Sequence, residues 1–328
     1  MSILVCGGAG YIGSHNVRAL LARGEEPVVI DNFLTGHRQA VPGGVRLYQG
    51  DIRDPTALDR IFAENSIEAV LHFAASSLVG ESMEKPLPYF NNNVHGMQTL
   101  LEAMLRHGVD KIVFSSTAAV YGEPESVPIS EDAPTRPTNP YGESKLMMER
   151  IMDWAGRAHG MRSVVLRYFN VAGALPGGEI GEDHRPESHL IPLILQVPLG
   201  QRPHITVFGE DYPTPDGTCV RDYIHVMDLA KGHVAAVKFA TENKGTEVFN
   251  LGTGIGYSVM DTVNTFMEVN HVDVPYQIVG RRAGDIATCY ADPAKSKEVL
   301  GWTAQETLAD MCRDSWNWQQ KNPEGYGE

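Results

Sequence analysis

Tyr141 and Lys145 stand four residues apart, separated by Gly-Glu-Ser. On an α-helix that spacing puts both on one face, about 6 Å apart along the axis. A free phenol has a pKa near 10 and is a poor base at neutral pH. Lowering it by about three units takes roughly 4 kcal/mol of preferential stabilisation of the phenolate, and one ammonium at about 4 Å in a partly screened cleft supplies roughly that much. The pair therefore predicts an acid/base that moves a hydroxyl proton while a dinucleotide takes the hydride. By itself Tyr-x-x-x-Lys is a common exposed helix face, and its weight comes from what precedes it.

What precedes it is a glycine turn. Ile3-Leu4-Val5-Cys6 runs into Gly7, Gly8, Gly10 and Gly13, and Val17, Leu20 and Leu21 follow at helical spacing. A strand, a glycine turn and a helix in that order let the backbone approach a pyrophosphate at the helix N-terminus, where free N–H groups and the helix dipole favour negative charge. Asp31 ends the second apolar run, 18 residues beyond Gly13. A carboxylate there accepts ribose hydroxyls and repels a 2′-phosphate, which favours NAD over NADP. Asp51-Ile52 closes the third run and is placed to border an adenine, although Asp after a strand is also ordinary turn chemistry.

The elements that must carry these groups follow from periodicity. Ile3–Val5, Val28–Ile30, Val45–Tyr48, Ala69–Leu71, Ile112–Phe114 and Val164–Leu166 read as strands, most of them buried on both faces. Helical patterns lie between most of them, at Val17–Arg23, Leu58–Asn65, Val94–His107 and Ser144–His159. Alternating strands and helices predict an α/β fold, a Rossmann-like doubly wound parallel sheet, with a smaller C-terminal substrate-binding α/β region. We expect residues 1–170 to form the dinucleotide-binding domain carrying Tyr141 and Lys145. Residues 171–328 should bind mainly substrate, with some segments returning to the first domain. Helical patterns return at Met227–Ala240, Val259–Val269 and Met311–Trp318, and two further helix starts are expected at Asp292-Pro293 and at a capping box of Thr303 with Glu306. A cleft between the two parts is the expected ligand site.

A formal net charge of −14 argues against nucleic-acid or anionic-membrane partners. Cys6, Cys219, Cys289 and Cys312 are far apart, without Cys-x-x-Cys, so neither a disulfide framework nor a structural zinc site is expected and a reducing cytoplasm fits. The N-terminus enters a strand at once, without the pattern of a signal peptide, and no run approaches the roughly 18 apolar residues of a membrane span.

Longer motifs carry a resemblance. Gly-Gly-Ala-Gly-Tyr-Ile-Gly-Ser-His (7–15), Gly-Asp-Ile-Arg-Asp (50–54), Val-Gly-Glu-Ser (79–82), Phe-Ser-Ser-Thr-Ala-Ala-Val-Tyr-Gly (114–122), Arg-Tyr-Phe-Asn (167–170), Gly-Glu-Asp (181–183), Val-Arg-Asp-Tyr-Ile-His-Val-Met-Asp-Leu (220–229) and Asn-Leu-Gly-Thr-Gly (250–254) occur in this order. With the closing Trp-Asn-Trp-Gln-Gln-Lys-Asn-Pro-Glu-Gly-Tyr, the chain resembles the extended short-chain dehydrogenase/reductase family, and within it members that invert carbon 4 of a UDP-hexose. The resemblance implies NAD as cofactor and a catalytic set of Thr117 on the sugar 4-oxygen, Tyr141 shuttling the proton, and Lys145 on the nicotinamide ribose. It places Gly7, Gly10, Tyr11, Ile12, Gly13, Asp31, Asn32, Asp51, Ile52, Phe73, Ala74, Asn92, Ser115 and Tyr168 about the cofactor, with Asn92 anchoring the catalytic helix and Tyr168 near the nicotinamide. It places Asn170, His189, Leu190, Val207, Phe208, Arg221, Tyr223, Arg282, Asp285 and Cys289 about the UDP-sugar, the two arginines at the diphosphate, where a guanidinium fork suits phosphate oxygens. It also implies a homodimer through the helices after Asn92 and from Tyr141.

This sequence departs from the family pattern in places. Cys6 replaces a frequent threonine, Ser77 stands where some members carry lysine near the cofactor, and His189 where many have asparagine. Cys289 falls on a wall of the sugar pocket where members restricted to plain hexoses have tyrosine, which implies room for N-acetylated UDP-hexoses. Glu182, Asp183, His184, Glu187 and His189 cluster in sequence, but they match no helical His-x-x-x-His pattern and lie in a Gly- and Pro-rich loop. We read them as a polar substrate loop with no metal. His72, His107, His225 and His233 read as structural. A nucleotide-sugar 4,6-dehydratase is a rival reading, but it needs an acid and a base after the threonine, and here Thr117 is followed by Ala118-Ala119. A cofactor-sensing binding protein on the same fold would usually lose the Tyr/Lys pair, which this chain keeps.

Overall fold

The computed structural model describes residues 1–282 and 284–327. Through the first half the chain alternates as its periodicity predicts: β1 (Ser2–Cys6), α1 (Tyr11–Ala22), β2 (Glu26–Asp31), β3 (Arg46–Gln49), α2 (Pro55–Glu64), β4 (Ala69–His72), α3 (Val79–Glu84), α4 (Pro86–Tyr89), α5 (Gly96–Arg106), β5 (Lys111–Ser115), α6 (Pro140–His159) and β6 (Arg162–Tyr168). Between α4 and α5, Phe90–His95 wind as a wider π turn. Further on lie β7 (Asn170–Ala172), α7 (Leu190–Leu195), β8 (Ile205–Phe208), β9 (Val220–Arg221), β10 (Tyr223–His225), α8 (Val226–Glu242), β11 (Thr246–Leu251), β12 (Tyr257–Ser258), α9 (Val259–Asn270), β13 (Tyr276–Val279), β14 (Thr288–Cys289), α10 (Ala294–Val299) and α11 (Leu308–Lys321).

The central sheet has seven strands in the order β11-β6-β5-β4-β1-β2-β3, and every pairing in it is parallel. Alternation of side chains along each strand sorts its residues into two cores. Leu4, Cys6, Val28, Ile30, Val70, Ile112 and Phe114 meet α2, α5 and α6 through Leu58, Ile61, Met97, Leu100, Met104, Met148 and Met152. Ile3, Val5, Val29, Leu71, Val113, Val164 and Leu166 face the other way, onto Val17 and Leu20 of α1 and Leu229, Ala236 and Val237 of α8. Strands buried on both faces need apolar residues at every position, which explains why they read as unbroken apolar runs.

The chain runs outward from β1 to β2 and β3 on one side, and through β4, β5, β6 and β11 on the other. The order therefore reverses between β1 and β4, and ligands of such sheets bind in the crevice outside the carboxyl ends at that point. The seventh strand, β11, is absent from the strands that periodicity picks out; it and α8 belong to this sheet although they lie late in the chain. A separate core packs α7, α9 and α11 together through Ile191, Ile194, Phe266, Met311 and Trp316. Three small sheets, β7 with β10, β8 with β13, and β12-β9-β14, make up the strands of this second region.

One expected helix start lies elsewhere. The capping box that opens α11 is Thr307 with Asp310, not Thr303 with Glu306. Buried Asp228 accepts from the backbone N–H of Gln305 at 2.6 Å and of Glu306 at 2.7 Å, while Trp302 Nε1 donates to Asp228 O. These tertiary bonds hold 303–306 out of helical form. Among the described residues no helix is long and apolar enough to cross a membrane.

Candidate active site

The glycine turn leaves β1 at the reversal of strand order. Gly7 has φ +78°, and a Cβ there would stand 2.6 Å from Ala74 N, on the chain leaving β4. Gly13 is tighter still, since a Cβ would lie 2.1 Å from Gly7 O. Gly10 differs: its φ is −76°, and a Cβ would only reach Gly7 O at 3.5 Å, ordinary contact. Nothing in the protein itself demands glycine at position 10, so the space it keeps open suits a group lying against the turn. No side chain caps the N-terminus of α1, which leaves its first N–H groups aimed into that space. The residues fit a dinucleotide pyrophosphate here.

Asp31 ends β2 with its carboxylate buried. It accepts from Ala9 N at 2.9 Å and from Phe33 N at 2.8 Å, one bond to each oxygen, which leaves lone pairs for ribose hydroxyls. Burial pushes its pKa up, while those two N–H groups and His37 oppose the rise. Asp51 is held by Arg53 and by Asn32 Nδ2 at 3.3 Å; the Arg53 hydrogen bonds bring its carboxyl down to about 2. Ile52 turns its side chain into the core against Gly96, so only its backbone is free to border an adenine. Phe73 and Ala74 leave β4 with both N–H groups on Cys6 O. The Tyr11 side chain points away from the turn and donates to Gly173 O at 2.6 Å.

The candidate proton-transfer groups lie about the ends of β5 and β6. β5 ends at Ser115, whose hydroxyl meets that of Tyr168 at the end of β6. Thr117 caps a short turn by accepting from Ala119 N at 3.1 Å. Asn139 caps α6, accepting from Gly142 N at 2.8 Å, so Tyr141 projects from the first turn of the helix and buried Lys145 from the second. Lys145 Nζ donates to Ser115 O at 2.7 Å and lies 6.0 Å from the centre of the Tyr141 ring.

The two side chains rise from one face of α6, as their spacing predicts, with the ammonium turned onto the Ser115 carbonyl. Burial raises the Tyr141 pKa, and the Thr117 side chain acts to lower it. Burial also brings the Lys145 ammonium down to about 7, against the pull of Glu149. Glu149, four residues further along the same helix face, is buried, and the sequence motifs do not single it out. It takes a bidentate pair from Arg167, Nε at 3.0 Å and Nη2 at 2.6 Å, and a bond from Ser116 Oγ. The repeated four-residue spacing Tyr141, Lys145, Glu149 is the one signal of it along the chain.

The resemblance implies Asn92 as anchor of the catalytic helix, but Asn93 fills that place. Asn93 Nδ2 donates to Ser144 Oγ at 2.9 Å and to Ser76 O at 3.1 Å, and its Oδ1 accepts from Ser76 N and Asn92 Nδ2. Both asparagines lie in the π turn of 90–95, a form that re-aims side chains within a helix.

In the second region, Cys289 on β14 pairs with Arg221 on β9. Arg221 Nη1 donates to Val220 O and Ile286 O. Its neighbour Asp222 binds Thr253, Gly254 N and Ala291 N, stitching three loops together beneath it. Exposed Arg282 pairs with Asp285 at 2.8 Å and stands over the exposed Phe208 ring at 5.3 Å. Asn170 N donates to Asp222 O. His189 stands at the N-cap position of α7 without a side-chain capping bond, and Leu190 is the first residue of the helix. Val207 and Tyr223 are set apart from this group, as both are buried and Tyr223 packs with Phe266 in the second region's core. Cys289 is half-buried beside Tyr121, Ile129 and Leu146; burial lifts its thiol to about 11, with Arg221 opposing.

A family model described as NAD dependent epimerase/dehydratase family matches residues 3–252. The chain belongs to that family. Within the epimerase/dehydratase family it is similar to a UDP-glucose 4-epimerase of Lacticaseibacillus casei, 52% identical over 329 residues, covering 100% of this chain and 99% of the relative. The structure of UDP-glucose 4-epimerase from Bifidobacterium longum in complex with NAD+ and UDP superposes with a TM-score of 0.94 at 44% identity, covering 99% of this chain and 100% of that one. The UDP-Glc/GlcNAc 4-epimerase of Campylobacter jejuni matches with a TM-score of 0.85 at 38% identity, covering 98% and 99%.

Proposed function

We propose that this chain interconverts UDP-galactose and UDP-glucose by inverting carbon 4 through a transient 4-keto sugar, with NAD as cofactor. The observation that carries the reading is the convergence of Thr117, Tyr141 and Lys145 at the carboxyl end of β5 with a glycine turn whose helix N-terminus is uncapped. Residues of the turn with Asp31, Asp51, Asn92, Ser115 and Lys145 would hold NAD, which when bound supplies an acceptor and donor of hydride and a cationic ring beside the phenol. Tyr141 takes the proton of the sugar 4-hydroxyl and returns it, and Thr117 holds the 4-oxygen between the two events. The Glu149 carboxylate, held by Arg167, favours the charged form of Lys145 and so supports a cation on the helix face shared with the phenol. Arg221 and Arg282 would grip the diphosphate. Inversion requires the flat 4-keto sugar to present its other face, which is feasible when the UDP end is gripped and the sugar is held loosely. Ala118 and Ala119 supply neither acid nor base beside Thr117, which counts against the dehydratase reading.

Cys289 supports acceptance of N-acetylated UDP-hexoses as well, since a small side chain beside Arg221 leaves volume for an acetamido group. The test of the reading is turnover of UDP-galactose by the purified chain without added reductant: formation of UDP-glucose supports it, and release of a 4-keto-6-deoxy sugar overturns it. A homodimer through α5 and α6 is part of the same proposal. Trp154, 66% exposed, and Met147 lie seven residues apart on one face of α6, and sedimentation as a monomer at micromolar concentration would overturn that part.

A further inference from the structure

The loop before α7 brings four metal-ligating groups to one point. Glu182, His184, Glu187 and His189 each offer one ligand atom, and those atoms all lie within 4.8 Å of one another. His189 Nδ1 is 2.9 Å from a carboxylate oxygen of Glu182 and 2.9 Å from one of Glu187. His184 Nδ1 is 3.1 Å from Glu182 and 3.7 Å from Glu187. Both carboxylates are only 8% exposed. Two carboxylates placed so far from water need positive charge at close range.

We propose that these four side chains form a structural zinc site. Bonds of about 2.0–2.1 Å to a tetrahedral zinc ion set neighbouring ligand atoms roughly 3.3 Å apart, which lies within the 2.9–3.7 Å separations of the carboxylate–imidazole pairs here. Two imidazole nitrogens with two carboxylates suit a borderline divalent ion such as zinc, and disfavour magnesium and calcium, which take oxygen ligands. Four protein ligands close the coordination, so the ion's part is to fix the loop and not to do chemistry. The loop it fixes ends at His189, the N-cap position of α7, at the edge of the proposed sugar-nucleotide site. It also borders the glycine-turn helix, since the His184 ring stands edge-on to Tyr11 at 6.3 Å. The sequence expectation of no metal rests on ligands at helical spacing. Here the loop folds back, and Glu182 and His189 meet across seven residues.

The experiment uses the purified full-length chain with its cofactor, stripped with a chelator, dialysed, and then given Zn2+, Co2+ or Mg2+ separately. About one zinc per chain should remain after gel filtration, and Co2+ should give the intense visible absorption of a tetrahedral N/O site. Zn2+ but not Mg2+ should raise the unfolding midpoint. His184→Ala and Glu182→Gln should each weaken binding by at least about tenfold. Because the spectrum and the midpoint shift are read on the unaltered chain, they stand even where a variant fails to fold. Absence of stoichiometric zinc, with no Co2+ band and no Zn2+-specific shift, would overturn the site and leave four groups joined only as imidazolium–carboxylate ion pairs.

Discussion

At the carboxyl ends of β2 and β5 and in the first turns of α6, the groups proposed to meet cofactor and sugar are fixed by main chain: Lys145 on Ser115 O, Asp31 on two N–H groups, Thr117 on Ala119 N. In the second region, the side chains proposed to grip the substrate stand on two- and three-stranded sheets and an exposed ion pair, Arg282 with Asp285. The first region is set within a seven-stranded sheet with a core on each face, and the second within short strands joined by loops. The difference suits the reaction. Proton and hydride transfer need atoms placed to a fraction of an ångström, whereas a sugar that must turn over between two half-reactions is served by a grip at its nucleotide end. Rigidity therefore belongs under Tyr141, and adaptability opposite it.

The largest expected effect breaks the rigid side. Tyr141→Phe removes one hydroxyl and should lower kcat by about 10²–10⁴-fold with UDP affinity nearly unchanged; steady-state kinetics beside UDP titration would show it, and retained turnover would end the assigned role. Next comes a contrast within the glycine turn. Gly13→Ala pushes a methyl to within 2.1 Å of Gly7 O and should cost about 1–3 kcal/mol of stability or more, since backbone cannot step aside. Gly10→Ala meets only ordinary contact at 3.5 Å, so it should fold with unchanged secondary structure yet retain less NAD. Circular dichroism with measurement of bound cofactor separates the two, and equal destabilisation by both would contradict the reading of Gly10.

On the adaptable side, Cys289→Tyr should reduce turnover of UDP-N-acetylgalactosamine relative to UDP-galactose by roughly ten- to a hundredfold, the worth of overfilling a pocket by about 1–3 kcal/mol. An equal loss on both substrates would remove Cys289 as a gate. The smallest effect is in pH dependence. A cation beside a phenol favours phenolate, so Lys145→Met should raise the phenol's pKa and move the rising limb of kcat to higher pH. Lys145 itself loses its proton near about 7, so the gap between parent and variant should be widest below that pH and narrow above it; a gap that widened with pH would contradict the assigned role.

Much of the first region is legible in the order of residues alone. Strands buried on both faces must be apolar throughout, glycine turns must be glycine, and a four-residue spacing must share a helix face. The misses have physical reasons. Only the resemblance points to Asn92; the π turn of 90–95 instead sets Asn93 against Ser144 and Ser76. The start of α11 lies at Thr307 and not Thr303 because Asp228, 77 residues before Gln305, takes two of the intervening N–H groups. β11 escapes a reading of periodicity because its place in the sheet depends on pairing with β6, from Thr246 against Ser163 to Leu251 against Tyr168.

The sequence by itself determined the alternating elements, the glycine turn with its acidic partner, and the Tyr141/Lys145 pair, because each rests on a pattern that can be read along the chain: periodicity, a run of glycines with an aspartate 18 residues on, and a four-residue spacing. Only the tertiary structure decided the protonation balance at Tyr141 and Lys145, the Glu149–Arg167 pair behind them, and the meeting of Glu182, His184, Glu187 and His189. Burial and charge proximity arise when distant or folded-back segments pack together, and no local pattern along a chain records either.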